Sequence, residues 1–262
     1  MTEAVLIEIN SHIATLTLNN PTKLNAFSDE MLLRLMVLID ECERNDDVRV
    51  VVLTGAGKGF CSGGDVTKMG PDVDNRPHVT KSYITEVIQA FPKALQHLTK
   101  PIIASINGVA AGGGLDLALA CDIRVAGESA RMAETYCNIG LLPGGGGAWL
   151  LPRVVGKPKA LEMLLAGNFI DANEAYHIGL VNHVWPDREL AERTYKLASD
   201  IAENPPLSVR LTKQAVIQGM NTDMASNLDL ISSHIAVAKS GPDHSEAIIA
   251  FKEKRKGNFI GY

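Results

Sequence analysis

Cysteine is scarce: Cys42, Cys61, Cys121 and Cys137 are the four in 262 residues, and no two stand in CxxC spacing. That argues against a disulfide framework or a zinc site and suits a reducing compartment, so a cytoplasmic protein is expected. Net positive charge is absent as well. The formal charge of −5 offers no electrostatic footprint for nucleic acid or an anionic membrane. No apolar run approaches membrane-spanning length, and the N-terminus lacks the basic and apolar blocks of a signal peptide. Phosphate loops are missing too: "GAGKGF" (55–60) fails GxGxxG, and no GxxxxGK[ST] occurs. Ser62 lacks the glycine two residues before it that GxSxG needs, and the histidines show no zinc spacing such as HExxH.

What is present is a chain that is 46% hydrophobic, enough for one large domain or a domain with an appendage. Residues 5–9 and 12–18 read as two strands around a short polar turn. "SDEMLLRLMVLIDECER" (28–44) has helical spacing, with Ser28 as N-cap and acids in the first turn. "VRVVVLTG" (48–55) is a continuous β-branched run, as in a strand buried on both faces. A helical region around 80–98 precedes the strand "PIIASIN" (101–107). Such alternation predicts an α/β body with parallel pairing. Strands cease from about residue 186, so we expect a core over 1–195 and a helical region over 196–262. Asp243 followed by Glu246 suggests a capping box opening the last helix, and 68–80 reads as a mobile loop.

Two segments echo one another. "VVVLTGAGKGFCSGGD" and "IIASINGVAAGGGLD" each run strand, glycine-rich turn, acid. Turns alike in this way could each present a backbone N–H at the same end of one sheet. The glycines of the second could serve close packing alone, or bare a helix N-terminus to an anion. Asp116 tips the balance, because a carboxylate within apolar "LDLALA" has no local partner and is costly to bury unpaired. With Ser62 or a neighbour as second donor, the two turns would form an oxyanion hole. The glycines of "LLPGGGGAWLLPR" (141–153) suggest a wall that lets something close to the backbone.

At these residues the chain resembles the enoyl-CoA hydratase/isomerase, or crotonase, superfamily, and the likeness runs through essentially its whole length. "NNPTKLNAFS", "GKGFCSGGDV", "KPIIASINGVAAGGGLDLALACDIRVA", "IGLLPGGGGAWLLPRVVGKPKALEMLLAG" and "AYHIGLVNHVWP" are similar to that family's segments, in order. The resemblance implies a spiral of ββα repeats with a C-terminal helical region that packs homotrimers, often pairs of them as hexamers. It implies an acyl-CoA substrate whose thioester oxygen lies between the N–H groups of Ser62 and Gly113, and no cofactor or metal beyond the coenzyme A of the substrate. CoA would run along Lys23, Ala26, Ser62, Gly63, Gly64, Asp65 and Val66, with Lys23 and the C-terminal lysines facing its phosphates.

Family hydratases carry two glutamates, and here those positions hold Asp116 and Tyr136. The place where some related isomerases put an aspartate holds Gly144. Asp116 is therefore expected as main acid/base, with Tyr136 donating a hydrogen bond or shaping the pocket. If 131–136 is extended, Glu134 shares a face with Tyr136 but points about two residues short. Hydration is the leading expectation. Double-bond isomerisation by Asp116 alone, thioester hydrolysis and non-catalytic acyl-CoA binding stand as alternatives.

Overall fold

The computed structural model describes residues 3–70 and 76–261. The strands are β1 Val5–Asn10, β2 Ile13–Leu18, β3 Val50–Gly55, β4 Gly59–Cys61, β5 Ile102–Ile106, β6 Val109–Ala111, β7 Ile123–Gly127, β8 Arg131–Ala133, β9 Ile170–Asp171 and β10 His183–Trp185. The helices are α1 Asp29–Arg44, α2 Pro77–Tyr83, α3 Ala90–His97, α4 Gly113–Leu119, α5 Gly147–Val155 and α6 Lys157–Ala166. They continue with α7 Ala172–His177, α8 Asp187–Ala202, α9 Pro206–Gly219, α10 Met224–Ser240 and α11 Pro242–Glu253.

The chain opens on the β1–β2 hairpin. Ser11 and His12 both take positive φ (47° and 68°), the backbone of a two-residue turn whose twist matches its strands. β2 then pairs in parallel with β3, and the large sheet runs β1-β2-β3-β5-β7-β10, antiparallel only between its first two strands. β4, β6 and β8 lie side by side in parallel in a second, smaller sheet, edged by the antiparallel β9. Each of the pairs β3/β4, β5/β6 and β7/β8 thus sends its first strand to the large sheet and its second to the small one. This is the expected spiral.

The apolar run of β3 is buried on both faces, as read. Val51 and Leu53 join the main core with Leu35, Leu38 and Phe60, whereas Val50 and Val52 face the other side, against Leu190, Ala198 and Ala202 of α8. The period of two along a strand splits one sequence run between two cores. Ser28 caps α1, its Oγ accepting from Met31 N–H at 3.1 Å. The expected boundary at 195 falls inside α8, whose far half still covers the sheet. Beyond it α9 and α10 bury none of their residues within the chain.

One local expectation holds and one fails. The helical region expected near 80–98 is present as α2 and α3 joined by a π-helical stretch, Ile84–Ile88. The capping box at Asp243 does not form, because Pro242 occupies the first turn and Gly241 the cap. Asp243 instead accepts from Ile260 and Gly261 N–H (both 2.8 Å), while Glu246 takes Arg255 and Asn258 N–H, so both acids hold the C-terminal segment. Of the loop read at 68–80, residues 71–75 lie outside those described, and Pro77 already begins α2. Among the described residues no helix is long and apolar enough to cross a membrane.

Candidate active site

The two echoing turns meet. β3 and β5 are neighbours in the large sheet, β4 and β6 in the small one, so both glycine turns leave at the same end. Gly63 (φ +85°) has no room for a side chain, since a Cβ there would lie 2.6 Å from Ala111 O and 3.0 Å from Gly113 N. A Cβ on Gly114 would overlap the Cys61 carbonyl. These glycines let two backbones touch.

Sequence reasoning chose the wrong amide in the first turn. The Ser62 N–H already donates to Leu24 O at 3.0 Å. Leu24 sits in the left-handed region (φ 49°), which turns its carbonyl toward Ser62. Gly63 N–H leans on Cys61 Sγ at 3.4 Å. Phe27 bridges Gly64 in parallel and spends its own N–H on Gly63 O at 2.7 Å, so the Gly64 N–H keeps the free direction. In the second turn, Asp116 N–H is the first to close a helical bond, to Gly112 O at 2.9 Å, which leaves Gly113 N–H outside the helical ladder. Gly64 and Gly113 N–H are therefore the amides of the two turns left without a backbone acceptor among the described residues, whereas Ser62 N–H is spent.

The other residues expected along the substrate lie on one rim. Asn25, fully buried at φ 56°, fixes that rim: it accepts from Asn20 N–H (2.8 Å) and donates to Ala56 O (3.0 Å) and Gly59 O (2.8 Å). This explains the asparagine of the N-terminal signature, which sequence reasoning had left without a role. Ala26 is buried beside it and Val66 is exposed. Lys23 is not a free charge, because its Nζ donates to Asp65 Oδ2 at 2.6 Å. The Lys23 ammonium and Thr67 hold the Asp65 carboxyl down at about 2.

Asp116 lies at the bottom, fully buried. Its Oδ2 accepts from Tyr136 O–H at 2.6 Å and Gly145 N–H at 3.0 Å. Its Oδ1 has no conventional donor among the described residues. Burial raises its pKa above the ordinary carboxylate value, and the Tyr136 and Gly145 donors offset part of that rise. Burial and the Asp116 charge push the Tyr136 phenol far above its ordinary range, so it stays a donor. Tyr136 O–H thus anchors one oxygen of the buried Asp116 carboxylate.

Glu134 is the residue that sequence reasoning placed short of the site. β8 ends at Ala133 and the chain turns at Thr135 (ψ 6°) into a 3₁₀ turn, so 131–136 is not extended throughout. The Glu134 carboxyl is fully buried and lies beside that of Asp116, both facing Gly147. The glycine run explains how both acids fit. A side chain on Gly147 would overlap Asp116 Oδ1 and come within 2.9 Å of Glu134 Oε1, and one on Gly145 would come within 2.7 Å of Asp116 Oδ2. Gly144 differs: the nearest atoms to a Cβ there are the Ile84 and Ile88 side chains at 3.7 Å. Ile84, Ile88, Phe91 and Phe27 (ring centroids of the two phenylalanines 5.7 Å apart) make an apolar wall next to the acids.

Comparison with known proteins gives a consistent picture. The profile of the family described as Enoyl-CoA hydratase/isomerase matches residues 8–261. The 1,2-epoxyphenylacetyl-CoA isomerase of Escherichia coli (strain K12) is 38% identical, with each chain covered in full. The short-chain-enoyl-CoA hydratase of Clostridium acetobutylicum is 36% identical over 96% of this chain and 95% of its own. The crystal structure of an enoyl-CoA hydratase from Bacillus anthracis superposes with a TM-score of 0.93 at 33% identity, covering 99% of this chain and 100% of that one.

Proposed function

Because this chain belongs to the enoyl-CoA hydratase/isomerase family, we propose that it adds water across the double bond of a 2-enoyl-CoA thioester, with Asp116 as main acid/base. The thioester oxygen sits between Gly64 and Gly113 N–H, where charge develops as the enolate forms. Water oxygen bonds to C3 as Asp116 takes its proton, the electron pair moves onto the thioester oxygen, and a proton returned to C2 completes the product. Lys23, Ala26, Gly63, Asp65 and Val66 carry the CoA, which arrives with the substrate, so no separate cofactor is needed. Since Asp65 already neutralises Lys23, that lysine contributes less to phosphate binding than a free cation would. The apolar wall of Phe27, Phe91, Ile84 and Ile88 fits a hydrocarbon acyl group.

The observation that carries this reading is Asp116 itself: fully buried, one oxygen anchored by Tyr136 and Gly145, the other left for a proton. The same observation supports a second reading, double-bond migration, in which Oδ1 takes a proton from one carbon and returns it to another. Incubation in heavy water with 2-enoyl- and 3-enoyl-CoA thioesters, read by mass spectrometry, separates them. Product heavier by one water supports hydration. Deuterium incorporation or bond migration without added water means isomerisation, and no change in either substrate overturns both.

The working form is a homotrimer or a pair of trimers in the cytoplasm. What supports assembly is that no residue of α9 or α10 is fully buried within the chain while Val216, Met224, Leu228, Ile235 and Val237 are exposed on them. A monomer by light scattering at micromolar concentration would contradict it.

A further inference from the structure

Three buried oxygens in the site lack a conventional donor: Asp116 Oδ1 and both oxygens of Glu134. The two carboxyls crowd the same side of Gly147, where a Cβ would overlap Asp116 Oδ1 and lie 2.9 Å from Glu134 Oε1. Apart from each other, the titratable group facing them is the Tyr136 hydroxyl, and no ion pair among the described residues reaches either acid. Two carboxylates this close in a dry pocket do not both ionise, so the pair keeps one proton. The donors decide where it resides. Tyr136 O–H and Gly145 N–H both point at Asp116, which stabilises charge there, and nothing equivalent serves Glu134.

We propose that Glu134 is a positioning residue that works in its protonated form, its carboxyl O–H donating to Asp116 Oδ1. That bond fixes the free oxygen of Asp116 and holds the negative charge on it, leaving the second lone pair of Oδ1 to the substrate or water. Burial and the Asp116 charge both raise the Glu134 pKa above the usual carboxyl range, which agrees with a neutral group. The inference rests on Asp116 being the acid/base, but not on whether the product is a hydrate or an isomer.

The test uses the purified full chain and two variants. Glu134→Gln keeps shape and a donor: we expect kcat/KM on the accepted enoyl thioester within about threefold of wild type, with the alkaline limb of the pH profile gone. Glu134→Leu removes the donor: we expect a loss of about ten- to a hundredfold, and an acid limb moved to higher pH. A Glu134→Gln protein as inert as Asp116→Asn would overturn the proposal, since Glu134 would then have to ionise. An unchanged rate and acid limb in Glu134→Leu would overturn it too, reducing Glu134 to packing. An activity-free readout stands beside these. At neutral pH the infrared spectrum of wild type minus Glu134→Gln is expected to show a protonated-carboxyl band, and its absence would sink the idea even in a protein that hydrates nothing. A wild type with the band but no turnover on any enoyl thioester would instead count against the function of Asp116 and leave the protonated pair standing.

Discussion

The two glycine turns end in acids with opposite fates. Asp65 closes the first turn at the rim, bonded to Lys23 and Thr67, with its pKa depressed to about 2. Asp116 closes the second at the bottom of the pocket, without a cation, its pKa raised by burial. One sequence plan therefore yields an ion-paired strut in one copy and, in the other, the buried carboxylate to which we assign the proton transfer. The difference lies in what packs on each acid: solvent and a lysine in one case, α5 and the apolar wall in the other.

The sharpest way to break that contrast is Asp116→Asn, which should cut turnover by about a thousandfold or more while leaving CoA-thioester affinity, measured by calorimetry, near wild type. Gly114→Ala comes next. Its new methyl meets the Cys61 carbonyl, so the turns part and the hole loses its donor spacing, with an expected loss of about a hundredfold in kcat. Tyr136→Phe is gentler, about tenfold in kcat/KM, because one charge-assisted hydrogen bond goes. Its signature is in the pH profile. The hydroxyl stabilises ionised Asp116, so removing it raises that pKa, and the acid limb of kcat/KM must move to higher pH. Asp65→Asn should leave kcat and both limbs where they are; a shifted limb would show that the rim acid shares the proton work after all.

Sequence periodicity revealed the body because burial writes itself into composition: β3 could only be a strand covered on both faces, and α1 announced its cap. Asp116 was legible for the same reason, a charge stranded among apolar residues. Ser62 was misread because no sequence rule tells which of several adjacent amides is already spent, and the answer lay in the left-handed turn at Leu24, distant along the chain but adjacent in the fold. Glu134 escaped for a geometric reason. Strand alternation is a fair guide to side-chain direction only while the strand lasts, and here it ends one residue too soon. Asp243 and Glu246 fitted a local motif, yet the C-terminal segment claimed both.

The uneven room along the glycine run limits how such a protein can change over generations. Side chains at 145 or 147 collide with the acids, so substitutions there are lost with the site itself. At position 144 a Cβ would make only ordinary contact with Ile84 and Ile88, at 3.7 Å. New chemistry has one unlocked door: a library randomised at 144 would return folded, substrate-binding proteins with altered reaction outcome, whereas lineages altered at its neighbours leave no descendants.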